Sequence, residues 1–208
     1  MEATLLDIDF ETELRNLQRE RARDRSKGIH LSQIIHYIIE ILEPKRFGGK
    51  EIDPALVHGG FIWEDVMSAA FMHQFGHTKQ IEIQRDDIYM TLDGFSAKRW
   101  RVIEMKCTKM SARNPIRSRK FMHWHMQIMG YCLGMRTQEA ELIPLFLNGA
   151  YELGGGRFGK PVVGMKGHPY LLYFTKRELI ENWDWILRSR DEMLEDDEWL
   201  AEQERRAA

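Results

Sequence analysis

Two short runs of alternating polarity constrain this chain more than any other feature. In residues 88–92, apolar Ile88, Met90 and Leu92 alternate with Tyr89 and Thr91, and Asp93 follows in the polar register. In residues 100–107, Ile103, Met105 and Cys107 alternate with Val102, Glu104 and Lys106. A period of two belongs to a strand, whose successive side chains point to opposite faces. The connection 94–99 contains Gly94, Ser96, Lys98 and Arg99, which suits a hairpin. Asp93 and Glu104 are therefore expected near one another at one end of a sheet, with Lys106 on the face of Glu104. Two acids and an ammonium in that place read as a candidate active site.

The 208 residues suit one domain with peripheral helices, and an apolar fraction of 43% is ordinary for a globular core. No apolar run approaches the roughly 18 residues that cross a bilayer, so no membrane span is expected. Residues 1–10 lack a basic region followed by an apolar one, so no secretory signal is expected. Cys107 and Cys132 are the only cysteines. Two argue against a disulfide framework and for a reducing, cytoplasmic compartment.

The net charge of −2 hides an asymmetry. Lys98, Arg99, Arg101, Lys106, Lys109, Arg113, Arg117, Arg119 and Lys120 face the single acid Glu104 between residues 98 and 120, whereas residues 178–208 hold eleven acids against four arginines. A basic segment around a lone carboxylate suits a polyanionic ligand such as nucleic acid. A solvated face balanced by the acidic tail is the other reading.

In chain order, residues 11–26 read as an exposed helix closed by Gly28, and Ser32 is expected to cap a second helix ended by Pro44. A glycine-containing loop over residues 47–60 precedes a third helix, 61–75, with Glu64 in its first turn. Strands follow at 79–84, 88–92 and 100–107. Asn114-Pro115 is expected to cap a helix over 116–133, with Met122, Met126, Met129 and Leu133 as its apolar stripe. Arg119, His123, Gln127 and Tyr131 recur every four residues on another face. Further strands are expected at 141–147 and 170–174, with a glycine-rich connection between them. Thr175-Lys176-Arg177-Glu178 is a capping-box pattern opening one long acidic helix.

Asp93 and Glu104 are hard oxygen donors of the kind Mg²⁺ or Mn²⁺ prefers, and the Met105 carbonyl lies between them. Glu104 and Lys106 alone would be an ordinary sheet-surface pair. The order of the pieces carries more. Gly60-Phe61-Ile62-Trp63-Glu64, then Leu92-Asp93-Gly94, then Ile103-Glu104-Met105-Lys106, then Gln127-Ile128-Met129-Gly130-Tyr131 resembles the PD-(D/E)XK nuclease superfamily, in its RecB-type and lambda-exonuclease (YqaJ-like) branch.

That resemblance implies an α/β fold with a central mixed sheet flanked by helices, a restriction-endonuclease-like core with added N- and C-terminal helices. It divides the chain into an N-terminal helical part (1–58), a catalytic core (59–175) and a C-terminal helix (176–208). Asp93, Glu104, Glu64 and the Met105 carbonyl match the metal set for Mg²⁺ or Mn²⁺, and Lys106 matches the catalytic lysine. Glu64 also reads as a first-turn acid favoured by the helix dipole. Gln127 and Tyr131 match the catalytic helix motif that lines the site and touches the scissile strand, while Lys109, Arg113, Arg119 and His123, read from their own positions rather than from the resemblance, are expected DNA contacts.

The activity implied is metal-dependent DNA hydrolysis, first as an exonuclease in phage-type recombination or repair, inside a bacterial or phage-infected host cell. A structure-selective or nicking endonuclease is one alternative, and a non-catalytic DNA-binding or assembly module the other. DNA is the expected partner, and a homo-oligomer is left open. Some RecB-type relatives hold an iron–sulfur cluster on four cysteines, so none is expected here. His73 and His77 read as surface or core histidines rather than zinc ligands, and Trp183, Trp185 and Trp199 as packing anchors.

Overall fold

The computed structural model describes residues 28–44, 54–75, 78–149, 162–164 and 168–207. The expected helix at 11–26, the loop at 47–53, most of the connection 148–167 and the His73/His77 pair lie outside the described residues or side chains. Among the described residues, a seven-stranded mixed sheet is flanked by five helices, the layout of a restriction-endonuclease-like core. The strands are β1 (Ile29–His30), β2 (Thr78–Arg85), β3 (Ile88–Ser96), β4 (Arg101–Thr108), β5 (Glu139–Phe146), β6 (Val162–Val163) and β7 (Tyr170–Tyr173). The helices are α1 (Leu31–Leu42), α2 (Pro54–Phe75), α3 (Met122–Gly134), α4 (Lys176–Glu195) and α5 (Asp197–Ala207). No helix among them is long and apolar enough to cross a membrane.

β3 is the pivot of the sheet. Antiparallel β2 runs along one of its edges from Ile88 to Phe95. The other edge is shared: β1 pairs in parallel at Ile88 and Tyr89, and β4 pairs antiparallel only at Gly94, Phe95 and Ser96. Past Gly94 and Ile103 the two strands part, and β4 continues in parallel with β5 from Val102 to Thr108. The β2–β3 connection is a two-residue turn in which Asp86 and Asp87 both have positive φ, as tight hairpins demand. Its tip is tied to α4, because Trp183 Nε1 donates to Asp86 Oδ2 at 2.7 Å.

α1, α3 and α4 pack together on one face of the sheet, where Leu31, Ile34, Met90, Leu92, Phe121, Trp124, Ile128, Phe146, Trp183 and Ile186 form the main core. α2 covers the other face through a smaller cluster, with Trp63 and Met67 against Ile103, Met105 and Ile143. Gly130 permits the close approach of α1 to α3, since a Cβ there would lie 2.7 Å from a Leu31 methyl. Trp183 is buried, and Trp199 donates to Glu40 Oε2 at 2.8 Å.

Several boundaries differ from expectation. α1 begins after His30, whose N–H donates to Gln33 Oε1, so Ser32 lies inside the helix rather than at its cap. α2 begins at Pro54 and runs through Gly59 and Gly60, which puts Glu64 about three turns in and removes the first-turn reading of that acid. α3 begins at Met122 behind a short 3-10 turn, Arg119–Phe121, not at residue 116. Asn114 is spent on a local turn, donating to the Ser111 carbonyl and accepting from Lys120. A helix begun at 116 would also place Arg117, Arg119 and Lys120 at its positive end, where cations are unfavourable.

α3 is buried on more than its methionine stripe, because Trp124, Ile128, Tyr131 and Cys132 are buried too. At the start of α4, Thr175 accepts from the Glu178 N–H while Glu178 accepts from the Thr175 N–H, the reciprocal capping box that was expected. The C-terminal helix is not continuous. Asp196 leaves helical geometry and its Oδ1 accepts the Trp199 N–H, which caps α5 as a separate helix.

Candidate active site

The parting of β3 and β4 positions the acidic pair. Register would set Asp93 opposite Glu104, but the ladder stops one pair short. Asp93 Oδ2 instead accepts the Met105 N–H at 2.7 Å. Glu104 projects toward α3 and is 1% exposed. Its Oε1 lies 2.5 Å from Lys106 Nζ, while its Oε2 is buried with no hydrogen-bond partner. The same ammonium donates to Gln127 Oε1 at 2.9 Å, and Gln127 Nε2 donates to the Tyr131 hydroxyl at 2.5 Å. Strand β4 and helix α3 are thus joined by one polar chain, Glu104, Lys106, Gln127, Tyr131. Helical spacing of four residues sets the last link.

Electrostatics bind the group more widely. Burial first, and then the charge of Asp93, push the Glu104 carboxyl up to about 8 against the pull of Lys106, with Glu64 adding a smaller push. Burial works to lower the Lys106 ammonium, yet Glu104, Asp93 and Glu64 together outweigh it and raise its pKa. Glu64 on α2 is therefore within electrostatic reach of both. Among the described residues, no three His, Cys, Asp or Glu side chains stand together at metal-ligand spacing. Each β-strand carboxylate is engaged within the protein instead, Asp93 by a backbone N–H and Glu104 by Lys106.

The donor set suits a hard divalent cation in chemistry, being carboxylates with one buried oxygen, Glu104 Oε2, left without a partner. Asp93, Glu104, Glu64 and the Met105 carbonyl are the groups that would hold it.

The residues assigned to DNA contact fall on two segments. Lys109 and Arg113 are exposed on the loop after β4, which is pinned by Ala112 N–H and Ser111 Oγ donating to the Gly149 carbonyl. Arg119 is exposed and lies 3.6 Å from Glu43. His123 opens α3 one turn before Gln127, its ring against Trp124.

Two acids escaped the sequence reading. Glu139 and Glu141 on β5 pair with Arg99 and Arg101 at 2.5 to 3.2 Å, and Glu141 is buried. The basic run of residues 98–120 is thus partly neutralised by β5. Parallel pairing of β4 with β5 creates that match. The one available signal was a pair of acids two apart, Glu141 opening the strand expected at 141–147 and Glu139 just before it.

No protein-family model and no curated protein matches this sequence. Solved structures do resemble it in fold. The protein SSO0001 superposes with a TM-score of 0.54 at 12% identity, over 88% of this chain and 88% of its own. An alkaline exonuclease from Laribacter hongkongensis gives a TM-score of 0.49 at 14% identity, over 87% and 95%. A phage-related exonuclease from Haemophilus somnus 129PT gives 0.49 at 12%, over 83% and 94%. At these identities the likeness is one of fold, and the SSO0001 superposition carries it.

Proposed function

We propose that this chain is a metal-dependent deoxyribonuclease, a single nuclease domain over residues 1–208 that hydrolyses phosphodiester bonds, first as an exonuclease on DNA ends. The observation that carries the reading is buried Glu104 paired with half-buried Lys106 beside Asp93 where β3 and β4 part, with one Glu104 oxygen unpartnered. An acid held above its ordinary range beside a lysine suits a centre that exchanges a proton for a cation. Bound Mg²⁺ or Mn²⁺ would supply Lewis acidity and lower the pKa of the attacking water.

This chain's own groups do the remainder. Lys106 offers its ammonium to the negative charge on the phosphoryl oxygens as water attacks phosphorus in line and the ester oxygen leaves. Gln127 holds that ammonium in place, and Tyr131, buried behind it, orients the Gln127 amide. Both thereby position Lys106 rather than touch the reacting atoms. Lys109, Arg113, Arg119 and His123 flank the site and suit the phosphate backbone of DNA.

The test uses wild type, Asp93→Ala and Lys106→Ala with end-labelled linear duplex, circular single-stranded and circular duplex DNA, in Mg²⁺, Mn²⁺ or EDTA. Cleavage by wild type in Mg²⁺ or Mn²⁺ only, lost in both variants, is the expected result. Restriction of cleavage to linear DNA marks an exonuclease, and nicking of circles an endonuclease. Absence of any metal-dependent cleavage, or variants that cut like wild type, overturns the proposal.

A further inference from the structure

A cleft of about 660 Å³ opens between the β3–β4 turn, the end of α3 and the start of α4. Arg85, Arg99, Arg136 and Lys176 line it against one acid, Glu139. Glu139 is held at 2.5 Å by Arg101 Nε, Arg99 by Glu141 at 2.9 Å and Arg85 by Asp86 at 3.4 Å, so Arg136 and Lys176 carry the cationic character of the lining. Trp100 and Tyr173 line the same concavity and are 55% and 64% exposed. Two aromatic side chains thus stand open beside guanidinium groups, within reach of a flat ring entering the cleft.

The cleft is also built under strain. Trp100 and Arg136 have φ of 56° and 55°, in the left-handed region that bulky residues rarely enter. Two hydrogen bonds hold these turns to each other. Trp100 Nε1 donates to the Arg136 carbonyl at 3.4 Å, and Thr137 Oγ1 donates to the Trp100 carbonyl at 2.6 Å. At Arg136 this is the left-handed residue that closes α3, where the Thr137 N–H reaches back to the Cys132 carbonyl at 2.9 Å, and the two turns together fix the wall of the cleft. The end of α3 would ordinarily repel an anion. Here the Leu133 carbonyl accepts from Arg85 Nη1 at 3.4 Å and the Arg136 carbonyl is covered by the Trp100 indole, which blunts that repulsion.

We propose that this cleft is a nucleotide-binding site separate from the carboxylate site, with Arg136 and Lys176 taking the phosphate and Trp100 or Tyr173 stacking the base. Guanidinium and ammonium groups alone would accept any polyanion; the aromatic pair selects for one carrying a flat ring. The volume falls in the range of small-molecule sites, about 300–1,000 Å³. Glu64, Asp93, Glu104, Lys106 and Gln127 do not line it. Leu133 lies six residues beyond Gln127 on α3, about 9 Å along the helix axis. The ligand is a nucleoside phosphate, either free or within a single strand of DNA. The assignment stands whether or not the carboxylate site is hydrolytic.

Calorimetric titration of the full chain in EDTA tests this, with deoxyguanosine monophosphate, deoxyguanosine, inorganic phosphate and a short single-stranded oligonucleotide. The monophosphate is expected to bind at least about tenfold more tightly than the nucleoside or phosphate alone. Arg136→Gly with Lys176→Gln is expected to weaken it by a similar factor. Glycine adopts the φ of position 136 without strain, so this variant keeps its fold, as its melting temperature will show. Trp100→Ala should weaken binding more than Trp100→Phe, and Asp93→Asn should bind as wild type. Tighter binding of the oligonucleotide identifies the strand as the source, and equal binding the free nucleotide. No binding of the monophosphate, equal binding by wild type and the double variant, or loss in Asp93→Asn overturns the proposal.

Discussion

Asp93 Oδ2 accepts the Met105 N–H at 2.7 Å across the point where β3 and β4 have just separated. One carboxylate therefore satisfies a backbone donor that the ladder no longer reaches and adds negative charge beside Glu104. Substitution can separate those two contributions.

Asp93→Asn retains an oxygen that can accept from Met105, whereas Asp93→Ala leaves the donor unpaired. The alanine variant is expected to lose about 1–3 kcal/mol. The asparagine variant should melt at or above the wild-type temperature at pH 8, because a like charge beside Glu104 is gone. DNA cleavage should fall about a hundredfold or more in both. Thermal melts and end-labelled cleavage measure the two effects, and equal destabilisation by Asn and Ala would refute the hydrogen-bonding role.

Glu104 has a folded-state pKa of about 8 against an ordinary 4.5. A carboxyl raised in this way contributes its full stability below the unfolded value and loses it as pH climbs through the folded one. In EDTA the melting temperature should therefore decline between about pH 4.5 and 8, and Glu104→Gln should flatten that decline. Mg²⁺ should stabilise wild type more at pH 8 than at pH 6, since the cation displaces a proton there. A wild-type profile parallel to that of Glu104→Gln would remove Glu104 as the cause.

Tyr131 is 3% exposed and stands behind Gln127. Tyr131→Phe leaves Gln127 Nε2 without this acceptor, and the amide loses its fixed orientation. Single-turnover cleavage is expected to slow about tenfold with KM nearly unchanged. Gln127→Leu should slow it further, because Lys106 itself then loses an acceptor. A rise in KM with no change in rate would place Gln127 on the DNA instead.

Gly130 is tested through packing. Gly130→Ala drives a methyl toward Leu31 and Trp183 and is expected to destabilise by about 1–3 kcal/mol. Leu31→Val in the same chain should recover part of that loss, measured by denaturant unfolding. Additive destabilisation would show that α1 and α3 do not meet as closely as described.

Much of the sheet was legible from local pattern. Period-two alternation found β3 and β4, and Thr175 with Glu178 announced the start of α4, because strand pleat and helix capping depend on near neighbours alone. Helix starts were less legible. Gly59 and Gly60 read as loop, yet α2 runs through them because Trp63 and Met67 anchor it to the sheet. Asn114-Pro115 read as a cap, yet its polar groups close a turn against Ser111. In both places tertiary contacts or local side-chain bonds outweighed propensity, which is weak per residue.

The residue types of the candidate site were in the sequence: Asp93, Glu104 and Lys106 on strands, Glu64 before them and Gln127 and Tyr131 after. Parity along β4 set Glu104 and Lys106 on one face, since side-chain direction follows directly from residue number. Only the tertiary structure decided that β3 leaves β4 at Gly94, that α3 lays Gln127 against Lys106, and that Glu139 and Glu141 meet Arg99 and Arg101. It also decided that Arg85, Trp100, Arg136 and Lys176, scattered over some ninety residues, line one cleft. Those outcomes depend on which strand neighbours which and where helices cross, and these are settled by burial of the whole core rather than by any window of sequence.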